Sequence, residues 1–213
     1  MINSYDYQAQ ANIQCLLDDT EYAERKEAFY KIFSDFKEAG IRYGIACSMN
    51  LFLRGVVDEF HDIDLIVDKS DIHKIEEIMK LNNAVLKDTG GNGYCESDIY
   101  MHFQFGRVDI DIISGFRLVT FNACYEYHFN QEELDYINIE NNLIPMISME
   151  ALYILYSMME GWQARRRYKR ILIEEYLLRE KLNYSNILES SLNSQLPGWI
   201  KRNIKDILSS RKK

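Results

Sequence analysis

Residues 61–67, which read His-Asp-Ile-Asp-Leu-Ile-Val, decide how this sequence of 213 residues folds. The apolar residues predict a buried strand, which Asp62 and Asp64 interrupt at alternate positions. Side chains two residues apart project from the same face of a strand, so these carboxylates lie side by side and repel each other. An apolar strand accommodates such a pair if a divalent cation lies between them, and we expect a metal site here. The other interpretation is a strand end with two solvated acids.

A third acid lies in a second strand-like segment, Arg107–Ile113, which carries Asp109 and Asp111 at alternate positions. Two acidic strands that converge on one point form an all-oxygen site. Such a site suits magnesium and a polyphosphate better than zinc. Asp109 and Asp111 share a strand face, so their spacing alone leaves the third ligand open between them.

The wider pattern predicts an α+β fold, with a mixed sheet and flanking helices followed by a C-terminal helical part. We expect an α/β domain over residues 1–144 and a helical domain over residues 145–213. Strands are predicted at 41–46, 60–67, 84–87, 98–105 and 107–113, with a further edge segment at 118–127. Helices are predicted at 20–39, 48–54, 70–81, 148–160, 163–182 and from Pro197 to about Leu208. The glycine cluster at 89–93 is interpreted as a hairpin turn, because it lacks the Lys-Ser/Thr of a phosphate-binding loop.

Composition and charge limit the classes of function. A net charge of −8 argues against broad nucleic-acid binding, although residues 165–170 and 211–213 are basic. No apolar segment is long enough to span a membrane and the N-terminus lacks signal-peptide features, so we expect a cytoplasmic protein. The four cysteines are scattered, which favours free thiols over disulfides or zinc ligation. Homodimerisation is left open.

These features together resemble the DNA polymerase β-like nucleotidyltransferase superfamily, and most closely its small bacterial antibiotic nucleotidyltransferases that modify lincosamides or aminoglycosides. The resemblance covers residues 41–67, with the strand, the small-residue turn and the D-x-D strand, and resumes at 105–113. It continues at Leu143–Ala151, which resembles the family's entry to its C-terminal helices. The chain departs from the family at Cys47-Ser48, where Gly-Ser or Gly-Gly is usual. A glycine there lets the backbone approach nucleotide phosphates closely.

The resemblance implies a role for each candidate residue. Asp62 and Asp64 are the expected metal ligands and bridge the ion to the phosphates of a nucleoside triphosphate. Asp109 is favoured over Asp111 as the third metal ligand and as the general base for an acceptor hydroxyl. Cys47 and Ser48 are expected at the nucleotide phosphates, to which Ser48 offers its hydroxyl and backbone N–H.

The basic segment after residue 164 has two interpretations. Arg166, Lys169 and Arg170 share a helix side at i+3 and i+4 spacing, which is typical of a solvated helix face. In the family, such a helix often places basic residues near the nucleotide, and Arg167-Tyr168-Lys169 loosely matches its R-x-K-D pattern. Arg167 and Lys169 are therefore candidate nucleotide-binding residues. His61 is equally consistent with a phosphate contact and with a solvated loop, whereas His102 and His128 are expected to be structural.

The resemblance implies a magnesium-dependent, ATP-binding nucleotidyltransferase. It would transfer a nucleoside monophosphate to a hydroxyl of a small-molecule acceptor and release pyrophosphate. The helical part would supply the acceptor pocket, and the sequence does not identify the acceptor. The alternatives are a non-catalytic module of the same fold, which binds a nucleotide or a protein, and the nucleotidyltransferase half of a toxin–antitoxin pair.

Overall fold

A computed structural model describes residues 4–18, 22–90, 96–120, 122–162 and 164–210. The strands are β1 (Tyr43–Ile45), β2 (Ile63–Val67), β3 (Val85–Asp88), β4 (Ile99–Phe105), β5 (Val108–Ser114), β6 (Phe116–Thr120), β7 (Ala123–Tyr127), β8 (Leu134–Ile139) and β9 (Asn142–Ile147). The α-helices are α1 (Ser4–Asp18), α2 (Ala23–Glu38), α3 (Cys47–Leu53), α4 (Ile72–Leu81), α5 (Met149–Met159), α6 (Ala164–Arg179), α7 (Ser185–Ser191) and α8 (Gly198–Ser210). Among the described residues, no helix combines the length and the apolar character needed to cross a membrane.

Seven strands form one mixed sheet in the order β3-β4-β5-β2-β1-β9-β8. The pairs β2–β5 and β1–β9 are parallel, and the other neighbours are antiparallel. The strand that carries the D-x-D motif is therefore central, with β5 on one side and β1 on the other. The predicted α+β class with a mixed sheet and a C-terminal helical part is confirmed.

Alternate residues of the central strands face two different cores. Leu65 and Ile112 pack with α2 and α4 on one face of the sheet. Ile66 and Ile113 pack with α5, α6, α7 and α8 on the other face. Period-two alternation places Asp64 and Asp111 on the same face as Ile66 and Ile113. The acids therefore point to the side of the sheet that the C-terminal helices cover.

Several elements differ from the sequence prediction. The segment expected as one edge strand forms the separate hairpin β6–β7, which begins after Gly115. Gly115 has φ +59, and a Cβ there would lie 2.7 Å from Asp98 Cγ, so the turn out of β5 requires glycine. The hairpin β8–β9 was not predicted, and the expected division between residues 144 and 145 falls inside β9. Residues 91–93 of the glycine turn, and Cys95, lie outside the described residues.

Candidate active site

Three carboxylates meet at the end of the central strands. Asp62, Asp64 and Asp111 each offer one oxygen, and these oxygens all lie within 4.8 Å of one another. Asp64 and Asp111 are paired directly across the parallel strands β2 and β5, and Asp62 immediately precedes β2. We call these three residues the acidic cluster. An all-oxygen donor set of this kind fits a hard divalent cation.

The acid of β5 that lies beside Asp62 and Asp64 is Asp111 and not Asp109. Asp109 lies two residues earlier on the same face of β5, and half of its side chain is exposed (50%). Asp111, by contrast, has a side chain that is only 18% exposed. The sequence analysis favoured Asp109, whereas the acid of β5 whose oxygen lies within 4.8 Å of those of Asp62 and Asp64 is Asp111.

The acidic cluster is electrostatically strained. Burial raises the pKa of Asp64 well above its ordinary value, and the charges of Asp62 and Asp111 raise it further. Nearby Lys169 and a hydrogen bond from the Cys47 thiol act in the opposite direction on the same pKa. Burial also raises the pKa of Asp111. A bound cation would relieve the repulsion that these shifts report.

The turn between β1 and α3 supports the cluster. The N–H of Ala46 donates to the carbonyl oxygen of Asp64 at 2.9 Å, which ties the turn to β2. Ser48 Oγ donates to Asp62 Oδ1 at 3.0 Å. Cys47 has φ +47, in the left-handed region that favours glycine. This backbone conformation explains why the resembling family usually has glycine at that position.

Cys47 is itself part of the site. Burial raises the pKa of its thiol well above the ordinary value, and the charges of Asp64 and Asp62 add to the effect. The group is therefore a thiol, not a thiolate, at neutral pH. Ser48 and Cys47 thus both contact the acidic cluster, through Asp62 and Asp64 respectively.

Three basic side chains from the start of α6, those of Arg165, Arg166 and Lys169, lie beside the acidic cluster. A cavity of about 90 Å³ is lined by Cys47, Ser48, Asp62, Asp64, Tyr156, Met159, Arg165, Arg166 and Lys169. Burial lowers the pKa of Lys169, and the charge of Arg165 lowers it further, while the charges of Asp62 and Asp64 oppose this shift. A neighbouring cavity of about 320 Å³ shares Arg165 and Lys169 and is also lined by Val56, Val57, Asp58, Glu59, His61, Tyr168 and Leu172.

The predicted basic residues divide into two groups. Lys169 lines the cavity beside Asp62 and Asp64. Arg167 does not: its side chain is 68% exposed and its Nε lies 3.4 Å from Glu160 Oε1, outside the cavity. Arg165 and Arg166 occupy the place expected for Arg167. The helical spacing of Arg166 and Lys169 is the sequence signal that identifies this face.

His102 was expected to be structural, but it contacts the cluster. Its Nδ1 lies at hydrogen-bond distance, 2.7 Å, from Asp111 Oδ1, and Tyr100 Oη donates to the same oxygen at 3.1 Å. His61, in contrast, is mostly exposed at the rim of the larger cavity, 3.7 Å from Glu59.

Most of the architecture has known counterparts among solved structures. A proposed nucleotidyltransferase from Thermotoga maritima superposes with a TM-score of 0.57 and 19% sequence identity, over 71% of this chain and 94% of the other. The crystal structure of ANT(2″)-Ia in complex with adenylyl-2″-tobramycin gives a TM-score of 0.54 at 12% identity, over 86% of this chain and 96% of that one. The chain has a nucleotidyltransferase fold.

The likeness is confined to the fold at these identities, and the nucleotidyltransferase resemblance is confirmed at that level. A solution structure of ANT(2″)-Ia, described as an antibiotic-resistance factor, matches with a TM-score of 0.52 at 16% identity, over 70% of this chain and 82% of that one. Comparison of the sequence with models of protein families and with curated proteins finds no match.

Proposed function

We propose that the protein is a magnesium-dependent nucleotidyltransferase. It transfers a nucleoside monophosphate from a nucleoside triphosphate to a hydroxyl of a small-molecule acceptor and releases pyrophosphate. The observation that supports this proposal is the acidic cluster, Asp62, Asp64 and Asp111, on a nucleotidyltransferase fold. The three cations of α6 that face it provide counter-charges for a triphosphate.

Asp62, Asp64 and Asp111 are the residues that would hold Mg²⁺. When bound, the ion would neutralise phosphate charge and orient the triphosphate. Burial, and then the charges of Asp62 and Asp111, raise the pKa of Asp64, so its ionised form is costly unless a cation lies beside it. The side chains themselves are acceptor-only when ionised, as magnesium ligands must be.

The remaining residues bind and orient the triphosphate. Lys169 and Arg166 line the cavity beside the acids and would pair with phosphate oxygens. Ser48 already donates to Asp62 and lies at the turn where the resembling family has a small residue. Cys47 lies where the resembling family usually has glycine, and its Cβ and thiol would leave less room for a phosphate at that turn.

Asp111 is the proposed general base. It accepts the proton of the acceptor hydroxyl as the oxygen attacks the α-phosphorus in line, and the bond to the pyrophosphate oxygen breaks. Much of the acceleration would come from positioning and charge stabilisation, because the reaction needs no covalent intermediate.

The acceptor would enter through the cavity of about 320 Å³, which shares Arg165 and Lys169 with the smaller cavity at Asp62 and Asp64. This volume is in the range of small-molecule sites. ANT(2″)-Ia is described with adenylyl-2″-tobramycin, so aminoglycosides belong in the first panel of acceptors, together with lincosamides, sugars and a protein hydroxyl.

The deciding experiment is a screen of acceptors with each nucleoside triphosphate and Mg²⁺, with pyrophosphate release as the readout. Asp64→Asn provides the control for contaminating activity. Pyrophosphate release that needs an acceptor, Mg²⁺ and Asp64 would support the proposal. If neither release nor Mg²⁺-dependent triphosphate binding by calorimetry occurs, the proposal is wrong.

The second candidate is a non-catalytic module that binds a nucleotide. The observation that favours it is Cys47, a residue with a Cβ and a thiol in a left-handed backbone conformation at the phosphate turn. Calorimetry with ATP distinguishes the candidates. Metal-dependent ATP binding without turnover of any acceptor would favour the binding module.

A further inference from the structure

Two side chains of β4 hold the same oxygen of Asp111. Strands β4 and β5 are antiparallel, His102 lies directly opposite Asp111, and Tyr100 lies two residues before His102 on the same face. Both contact Oδ1, His102 through Nδ1 at 2.7 Å and Tyr100 through its donating Oη at 3.1 Å. No described residue donates a hydrogen bond to Asp111 Oδ2.

The two nitrogens of His102 have different surroundings. An ionised carboxylate only accepts hydrogen bonds, so Nδ1 carries the hydrogen of the bond to Asp111. Nε2 lies 3.6 Å from Oδ1 of Asp109, which is beyond hydrogen-bond distance. Of its two carboxylate neighbours, His102 therefore makes a hydrogen bond with Asp111 and none with Asp109.

His102 differs in this respect from the other histidines. Its side chain is only 27% exposed, and its partner Asp111 is also largely buried, so water does not readily replace the bond. His61, His73 and His128 are mostly exposed, and their closest carboxylate oxygens lie 3.5 to 3.7 Å away. His73 therefore offers a matched control for loss of an imidazole.

We propose that His102 and Tyr100 are positioning residues that fix the Asp111 carboxylate by its Oδ1 and keep Oδ2 for the cation of the acidic cluster. This inference rests on the proposed function. The neighbouring acids would otherwise push Asp111 away by charge repulsion, since its oxygen lies within 4.8 Å of theirs. Groups that orient a ligating carboxylate in this way typically change metal affinity or activity 10- to 100-fold.

Three substitutions of His102 separate its two nitrogens. In His102→Asn the amide nitrogen takes the place of Nδ1, in His102→Gln it takes the place of Nε2, and His102→Leu has neither donor. Each variant is titrated with Mn²⁺, alone and with a non-hydrolysable nucleoside triphosphate, by electron paramagnetic resonance. We expect Mn²⁺ affinity to fall about 10- to 100-fold in His102→Leu and His102→Gln. It should stay within a few-fold of the starting protein in His102→Asn and His73→Leu.

Tyr100→Phe removes the second donor and is expected to weaken Mn²⁺ binding less than His102→Leu, because the bond from His102 is the shorter one. Thermal melts of the metal-free variants detect a structural role. Equal Mn²⁺ affinity in His102→Leu and the starting protein, with loss of binding in Asp64→Asn, overturns the role of His102 and leaves the proposed function standing. Equal losses of Mn²⁺ affinity in His102→Asn and His102→Gln would also overturn the role of His102 and leave the proposed function standing. If the starting protein binds no Mn²⁺, both proposals are overturned.

Discussion

Asp64 and Asp111 lie directly opposite each other on the parallel strands β2 and β5. Their register is fixed by apolar pairs on the other face of the sheet, where Leu65 lies opposite Ile112 and Ile63 opposite Ile110. These residues belong to the core under α2 and α4. Packing on the opposite face of the sheet therefore determines which acid of β5 joins the acidic cluster.

The first prediction concerns the two acids of β5. Asp111→Asn is expected to reduce turnover by about 10²- to 10⁴-fold, the usual contribution of a positioned general base. Asp109→Asn is the matched control: it removes the half-exposed acid on the same strand and should retain most of the turnover. Pyrophosphate release with the acceptor found in the screen measures both. If Asp109→Asn were inactive and Asp111→Asn active, Asp109 would be the general base.

The second prediction concerns charge repulsion. Asp64→Asn is expected to abolish turnover and Mg²⁺ binding while it raises the melting temperature of the metal-free protein. The reason is that Asp64 is buried beside two other carboxylates, which raise its pKa. Thermal melts with and without Mg²⁺ test both parts: Mg²⁺ should stabilise the starting protein and leave the variant unchanged. A variant that still gains stability from Mg²⁺ would show that the ion binds elsewhere.

The choice between Asp109 and Asp111 marks the limit of the sequence prediction. The D-x-D strand, the small-residue turn and the acidic strand β5 all follow from local pattern. A shift of β5 by two residues, however, keeps every side chain on the same face, so alternation cannot select the register. The register depends on packing between distant segments, which a single sequence does not reveal.

The sequence analysis did not predict the contact between His102 and Asp111, for a related reason. The two residues lie nine positions apart on antiparallel strands, and their pairing depends on the turn between β4 and β5. Gly106, with φ +59, lies in that turn. For Arg167, in contrast, the sequence did contain the necessary signal. The loose match to a family motif favoured Arg167, whereas the helical spacing places Arg166 on the same side of the helix as Lys169.

The third prediction concerns Cys47. Cys47→Gly removes a Cβ from a residue with φ +47 and is expected to preserve or raise affinity for the triphosphate. Cys47→Ala is the matched control, because it removes the thiol and keeps the Cβ. Calorimetry with ATP and Mg²⁺ compares the three proteins. A tenfold fall in affinity for both variants would mean that the thiol makes a favourable contact with the nucleotide.

The fourth prediction separates the basic residues of α6. Lys169→Met is expected to weaken triphosphate binding about 10- to 100-fold, since hydrogen bonds to charged groups contribute about 1.5–3 kcal/mol. Arg167→Met removes an equally charged residue from the exposed side of the helix, where it faces Glu160, and should have little effect. Calorimetry with ATP and Mg²⁺ measures both affinities. Equal losses would indicate a general effect of positive charge and not a contact made by Lys169.

The last prediction concerns the pH dependence of stability in the metal-free protein. The pKa of Asp64 is raised well above 3.8 in the folded state, chiefly by burial. Between 3.8 and the raised value, the folded protein keeps a proton that the unfolded chain has lost. The free energy of unfolding therefore falls as pH rises through this window, and the contribution of Asp64 is fully favourable only below it.

Asp64→Asn removes this titration, so the difference in unfolding free energy between the starting protein and the variant should depend on pH. We expect the starting protein to lose stability relative to the variant as pH rises from about 4 towards neutrality. Urea denaturation across this range measures the difference, and Asp109→Asn controls for the loss of one carboxylate of the same face. Mg²⁺ should reverse the trend in the starting protein, because the ion binds the ionised carboxylates and stabilises the folded state most where they are ionised. A difference that stays constant with pH would mean that Asp64 does not retain its proton in the folded protein.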